Sequence, residues 1–307
     1  MRCPAIATRP GTTLEDLIQL RHLTQLLPQT QPRGLSGLPG KICSRRRGHG
    51  LDFDDLRPYQ PGDDVRHIDW NVTARTQQAH LRLYREEHER ALTVAVDLRP
   101  CMFTGSACFR ADRAVRLAAL TLWQAAHQGD RCSAQVYDRH GFHSSRPAIA
   151  GRGALAALGL LAERYRHNAG TSGNSASPEI SHWLARLNRS PRQAGTMVLF
   201  SSLDHGGPAL AQHLPISAAR GDLTVIEISD PLEHKAPGPG LYPYRQGDRS
   251  GVAAPDARAA RQLQVTLQRK MQEKRAPWLA QHIPLLGTRE PLTAAALLHQ
   301  LRLQRVL

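Results

Sequence analysis

The chain has 307 residues, enough to bury a substantial core as one large domain or as a domain with a smaller partner. Forty basic residues against 26 acidic ones give a formal net charge of +14, which invites an acidic partner: nucleic acid, anionic lipid or an acidic protein surface. The five cysteines are odd in number and contain no C-x-x-C, which argues against a disulfide framework and a structural zinc site, and no run approaches the ~18 apolar residues of a membrane span.

In chain order, Thr12 or Thr13 starts an amphipathic helix that runs to Pro28, with Glu15 and Asp16 in its first turn. Proline and glycine make residues 29–40 a loop. A polar stretch follows, "GLDFDDLRPYQPGDDVRHIDWNVTAR" (50–75), in which Asp52, Asp54, Asp55, Asp63, Asp64 and Asp69 alternate with Arg57, Arg66 and Arg75 and with Phe53, Tyr59, Ile68 and Trp70. The stretch "AHLRLYREEHER" (79–90) alternates like an exposed strand through Leu81, Leu83 and Arg85. From Leu92 the pattern becomes strand then helix: a strand at 92–96, a helix at 112–128, a strand at 132–137, a helix at 154–165, a helix at 179–187 and a strand at 195–201. Residues 208–219 read as a helix, 222–228 as a strand, 256–281 as a long helix, 282–286 as a short strand and 292–303 as a last helix.

Continuous apolar strands alternating with amphipathic helices mean an α/β fold, a doubly wound and mostly parallel sheet covered on both faces. In such sheets ligands lie beyond the carboxyl ends of strands where strand order reverses, and Asp97 closes the first strand, "LTVAVDLRPCM". No G-x-G-x-x-G or P-loop follows any strand, and no H-E-x-x-H or G-x-S-x-G is present, so neither a nucleotide cofactor, nor zinc, nor a hydrolase elbow is expected. The six aspartates do not have EF-hand spacing. Asp63 and Asp64 follow Pro-Gly, and each carboxylate has an arginine close by, so the stretch reads as a salt-bridged turn docking the N-terminal part onto the α/β domain, with Tyr59 and Trp70 as core or interface anchors.

The stretch at 50–75, with Asp52, Phe53, Asp54, Arg57, Tyr59, Gly62, Asp63, Asp64, Arg66, Ile68, Asp69 and Trp70, closely resembles the bacterial family called domain of unknown function 58. Its members carry this stretch ahead of a von Willebrand factor A-like domain, and "ISDPLE" (228–233) resembles the family's segment before a β-hairpin and long helix. The resemblance implies three parts: a helix and loop at 1–40, a β-rich motif module at 41–90, and an A-like domain at 91–307 with a hairpin near 236–254. It also implies an accessory protein often encoded beside a MoxR-type AAA+ ATPase, acting in assembly and not in catalysis. Without the membrane helices of many relatives, this chain is expected in the cytoplasm.

A-like domains end their first strand in D-x-S-x-S and bind magnesium there, with a threonine from a second loop and an aspartate after a later strand. Here the matching segment is Asp97-Leu98-Arg99-Pro100-Cys101, so both serine positions are replaced. Thr171 fits the threonine place, Ser202 stands where aspartate is expected, and Asp204 follows two residues on. Magnesium needs hard oxygen ligands, a thiol serves it poorly and a guanidinium repels it, so the expectation is no metal and an Asp97–Arg99 pair in its place. The expected function is a non-enzymatic adaptor without cofactor, docking a MoxR-type ATPase or its client through Asp97–Met102, residues 170–175 and Ser201–His205. The alternatives are nucleic-acid binding by a basic face carrying Arg258, Arg261, Arg269, Lys270, Lys274 and Arg275, or a magnesium-dependent A domain.

Overall fold

The computed structural model describes residues 12–25, 47–60, 63–85, 90–169, 177–189, 195–235, 237–238, 240–246 and 249–288. The chain divides into two compact units, one made of residues 1–27 and 90–307 and the other of residues 28–89.

The N-terminal helix starts where expected and breaks early. Thr13 caps α1 (Leu14–Gln19) through a reciprocal box with Asp16, but Leu20 interrupts the helix and α2 (Arg21–Gln25) follows as a separate turn. The expected 1–40 segment is therefore not a part of its own. Leu17 is fully buried in the α/β core, Trp123 Nε1 donates to the Leu17 carbonyl at 2.9 Å, and the Arg21 guanidinium lies 5.6 Å from the Trp123 ring.

The 28–89 unit is built on β1 (Arg47–Pro58), α3 (Trp70–Thr76) and β2 (His80–Arg85), with β1 and β2 antiparallel and bulged twice. The three aspartates whose side chains are described, Asp63, Asp64 and Asp69, all hold backbone N–H groups. Asp64 caps the 3₁₀ turn Val65–His67, Asp69 accepts from Asn71 N and Val72 N at the start of α3, and Asp63 bridges Arg57 at 2.6 Å and Gln60 N at 2.9 Å. Trp70 is not in the core of this unit: its place at the first turn of α3 leaves it 67% exposed.

The α/β unit follows the predicted alternation. In order it holds β3 (Ala91–Leu98), α4 (Arg110–His127), β4 (Arg131–Asp138), β5 (Gly141–Ser144), β6 (Ala148–Ile149), α5 (Ala150–Asn168) and α6 (Ile180–Arg189). Then come β7 (Thr196–Ser201), α7 (Leu210–Arg220), β8 (Leu223–Glu227), α8 (Pro231–His234), β9 (Tyr242–Gln246), β10 (Arg249–Ala253), α9 (Ala257–Ala280) and β11 (Leu285–Gly287). The sheet order is β11-β8-β7-β3-β4-β5, parallel from β11 to β4. Two short pieces that the sequence reading missed, β5 and β6, pair antiparallel with the outer side of β4. The hairpin expected near 236–254 forms as β9 and β10; the helix expected at 292–303 lies outside the described residues.

Alternation on the strands sorts two cores. Leu92, Val94, Val96 and Leu98 face α4 and α5, while Ala95, Leu199 and Val225 face Trp183 of α6 and Trp278 of α9. Since β4 and β7 flank β3 on opposite sides, strand order reverses between β3 and β7. The site lies at the carboxyl ends of those two strands.

Candidate functional site

Asp97 and Arg99 form a closed pair at that reversal, both 0% exposed. Arg99 Nε donates to Asp97 Oδ1 at 2.9 Å and Nη2 to Oδ2 at 2.7 Å, a bidentate fork. The remaining donors go to backbone carbonyls: Nη2 to Asp204 O at 2.9 Å, and Nη1 to Pro178 O at 2.6 Å and His205 O at 3.4 Å. A guanidinium has five N–H groups, and these contacts occupy all of them. The carboxylate is equally full, because it also accepts from Arg99 N at 3.0 Å and from Ser201 Oγ at 2.7 Å. Burial alone would weaken the charge on Arg99, but the adjacent Asp97 outweighs it and holds the guanidinium pKa above its ordinary value.

The loop after β7 is bent to meet this cation. Leu203 (φ 60°) and His205 (φ 54°) both lie in the left-handed region, an uncommon conformation for residues other than glycine that costs about 1 kcal/mol or more each. Ser201 Oγ accepts from Leu203 N at 3.0 Å, and the carbonyls of Asp204 and His205 are turned inward onto Arg99. Arg99 therefore supports the strain, linking the ends of β3 and β7 to Pro178 at the entry to α6.

A magnesium ion does not fit here. Asp97 has no lone pair left to give, Arg99 fills the space with positive charge, and burial pushes the Cys101 thiol up to about 11, so it stays protonated. Ser202 is buried, and the Asp204 carboxylate points away, to Arg110 Nη1 at 3.2 Å and Lys274 Nζ at 3.5 Å. Thr171 and Gly62 lie outside the described residues, and of Asp52, Phe53 and Asp54 only the place on β1 is described. Millimolar magnesium is expected to move the melting temperature by no more than about 1 °C, since an ion stabilises only by binding the native state. A saturable rise lost in Asp97→Ala would show that the pair opens to metal.

Beside the pair lies a second network that the sequence reading did not assemble. Asp204, Glu227 and Glu233 face Arg110, Lys274 and Arg275. Glu233 Oε1 accepts from Arg110 at 2.8 Å and Lys274 at 3.4 Å, Arg275 Nε donates to Glu227, and Lys274 Nζ is 3.8 Å from Glu227. Burial opposes the charge on Asp204, yet Lys274 and Arg110 prevail and lower its pKa. At Glu227 burial prevails over Lys274 and Arg275, and the pKa is raised. Lys274 and Arg275 are thus internal counter-ions and not part of a solvated basic face; Arg258, Arg261, Arg269 and Lys270 are the exposed members of that set. Asp230 accepts from Ser106 N and Oγ, both at 2.6 Å, which ties down the loop before α4.

The surface presented at this end differs from the expected one. Residues 97–103 are all buried, since the pair and the 3₁₀ turn Pro100–Met102 turn inward, and the exposed groups are Thr104–Ala107, His205 and Pro208. Residues 170–175 fall outside the described part. The loop "FSSLDH" makes no triad, as Ser201 is bonded to Asp97 and Leu203 N.

A family model described as "Protein of unknown function DUF58" matches residues 55–276. Two relatives, the uncharacterized proteins Mb1516 of Mycobacterium bovis and Rv1480 of Mycobacterium tuberculosis, are each 31% identical to this chain over 246 residues, which cover 78% of it and 75% of the relative. A crystal structure of the conserved hypothetical protein BatB from Bacteroides thetaiotaomicron aligns with a TM-score of 0.43 at 13% identity, covering 71% of this chain and 98% of that one.

Proposed function

The chain belongs to the DUF58 family, and from that membership we propose that it is a non-catalytic adaptor whose α/β unit is von Willebrand A-like, with the metal position refilled by Arg99. Its partner, on this reading, is a MoxR-type AAA+ ATPase or that ATPase's client. The observation that carries the reading is the saturation of Asp97 and Arg99 by each other and by three loop carbonyls. A metal with an open coordination position can be bridged by a partner's carboxylate, whereas a guanidinium with all five donors engaged cannot. Recognition then passes to the loops that the pair holds in shape, Thr104–Ala107 and His205. No helix among the described residues is long and apolar enough to cross a membrane. The nucleic-acid reading retains Arg258, Arg261, Lys270 and Arg269, the last shared with Glu273 at 2.8 Å.

The test is co-purification from the native host followed by ATPase assay. An AAA+ ATPase is expected to be retained, its turnover changed by added protein, and both effects weakened by Ala107→Glu, a substitution on the exposed loop. Recovery of no AAA+ partner, with turnover of the host's MoxR-type ATPases unchanged, would sink the proposal.

A further inference from the structure

The sheet face that meets α6 changes character along its length. Toward the carboxyl ends, Ala95, Tyr137 and Leu199 pack under Trp183 and Leu184. Toward the amino ends the same alternation places Thr93, Ser133 and Gln135 on this face, although strands at the centre of a parallel sheet are ordinarily apolar on both sides. Helix α6 is only ten residues long and leaves this end of the face open as a cavity of about 830 Å³, within the size range of small-molecule sites.

Its walls are cationic. Arg186 and Arg189 come from α6 and Arg220 from the end of α7, where it donates from Nη1 to Leu187 O at 3.2 Å; the single carboxylate among the described lining residues is Asp222, 3.6 Å from Arg220. Thr93 and Gln135 line it from the sheet. Thr93 is already bonded to Ser133 at 2.9 Å, but Gln135 Oε1 is buried with no hydrogen-bond partner, a state that costs free energy until a ligand or water meets it. A rotation of the Gln135 side chain presents one end or the other of its amide to the cavity, to accept from a ligand hydroxyl or to donate to an oxyanion. Phe142, with the Arg186 guanidinium 4.6 Å from its ring centre, and Met197 add an apolar strip.

We propose that this cavity binds a small multivalent organic anion, carrying carboxylate or phosphate groups that meet the guanidinium forks while its polar body reaches Gln135. Guanidinium matches both anion types in bidentate geometry. The site lies at the opposite ends of the strands from Asp97 and is independent of the adaptor reading.

The test is calorimetric titration of the full chain with citrate and, separately, pyrophosphate, at constant ionic strength. Wild type is expected to bind one equivalent of at least one probe saturably; preference for citrate identifies a carboxylate ligand, and preference for pyrophosphate a phosphate one. Arg189→Glu, on an exposed position that leaves the core intact, is expected to weaken binding about tenfold or more. Arg258→Glu on α9 makes the same change in net charge and is expected to leave binding unaltered. Absence of saturable binding by both probes, or equal weakening by the two variants, would overturn the proposal.

Discussion

Arg99→Ala is expected to cost about 3–5 kcal/mol of folding stability, the magnitude of breaking a buried ion pair from one side. Asp97 would remain fully buried with only Arg99 N and Ser201 Oγ as donors, and the carbonyls of Pro178 and Asp204 would lose the donor they face. The strained loop at Leu203 and His205 would lose its inner anchor as well. Arg99→Lys is expected to rescue little, because an ammonium has three donors and no planar fork to replace five planar ones. Asp97→Asn combined with Arg99→Met should cost less than the sum of the single changes, as the pair is removed together, yet stay below wild type because the loop carbonyls remain unmet. Urea unfolding at neutral pH measures each of these variants, and the two single changes of the pair, against wild type. A loss below about 1 kcal/mol in Arg99→Ala would mean that water enters the site and that the pair does not hold the loops.

The α/β alternation was legible because each strand is a short apolar run and each covering helix has its own apolar stripe. Asp97 and Arg99 were legible as a pair because they are two residues apart at a strand end, close enough for the side chain to fold back on its neighbour. The network of Arg110, Lys274, Asp204, Glu227 and Glu233 was not, since its members come from four separate elements and the loop after β7, which only the tertiary fold brings together. Lys274 and Arg275 looked solvated because they sit in an arginine-rich helix with few acids; their partners lie 41–70 positions away, at the end of β8, on α8 and in the loop after β7. Of the aspartates at 63–69, Asp63 pairs with its sequence neighbour Arg57 as the arginine spacing suggested, while Asp64 and Asp69 also accept from nearby backbone N–H groups, which charge spacing alone does not reveal.

"RCSAQVYD" ends on Asp138 as "LTVAVD" ends on Asp97, and in the sheet the two strands lie side by side with Leu98 opposite Asp138. The one-residue offset sends the carboxylates to opposite faces. Asp138 is fully buried and accepts from Arg164 Nε at 2.9 Å and Nη2 at 2.5 Å, Asn168 Nδ2 at 2.9 Å and His140 N at 2.7 Å, so it joins the end of β4 to the last turns of α5 and to the turn into β5. Asp138→Ala is expected to cost about 2–4 kcal/mol, somewhat less than the loss at Arg99 because the orphaned Arg164 lies nearer solvent. Burial pushes the Asp138 carboxyl up, but Arg164, Asn168 and the His140 N–H together bring it below its ordinary value. The native state then binds fewer protons than the unfolded chain, so the contribution is present above about pH 4 and is lost as the pH falls through the native value. Asp204 acts with the same sign, while Glu227 and Asp130, both raised by burial, favour the native state toward acid and lose that advantage as the pH rises. Asp138→Asn keeps the shape and removes the titration, so its unfolding midpoint should fall less steeply than wild type below about pH 4. Parallel curves for the two proteins across that range would mean that Asp138 does not hold its charge in the fold.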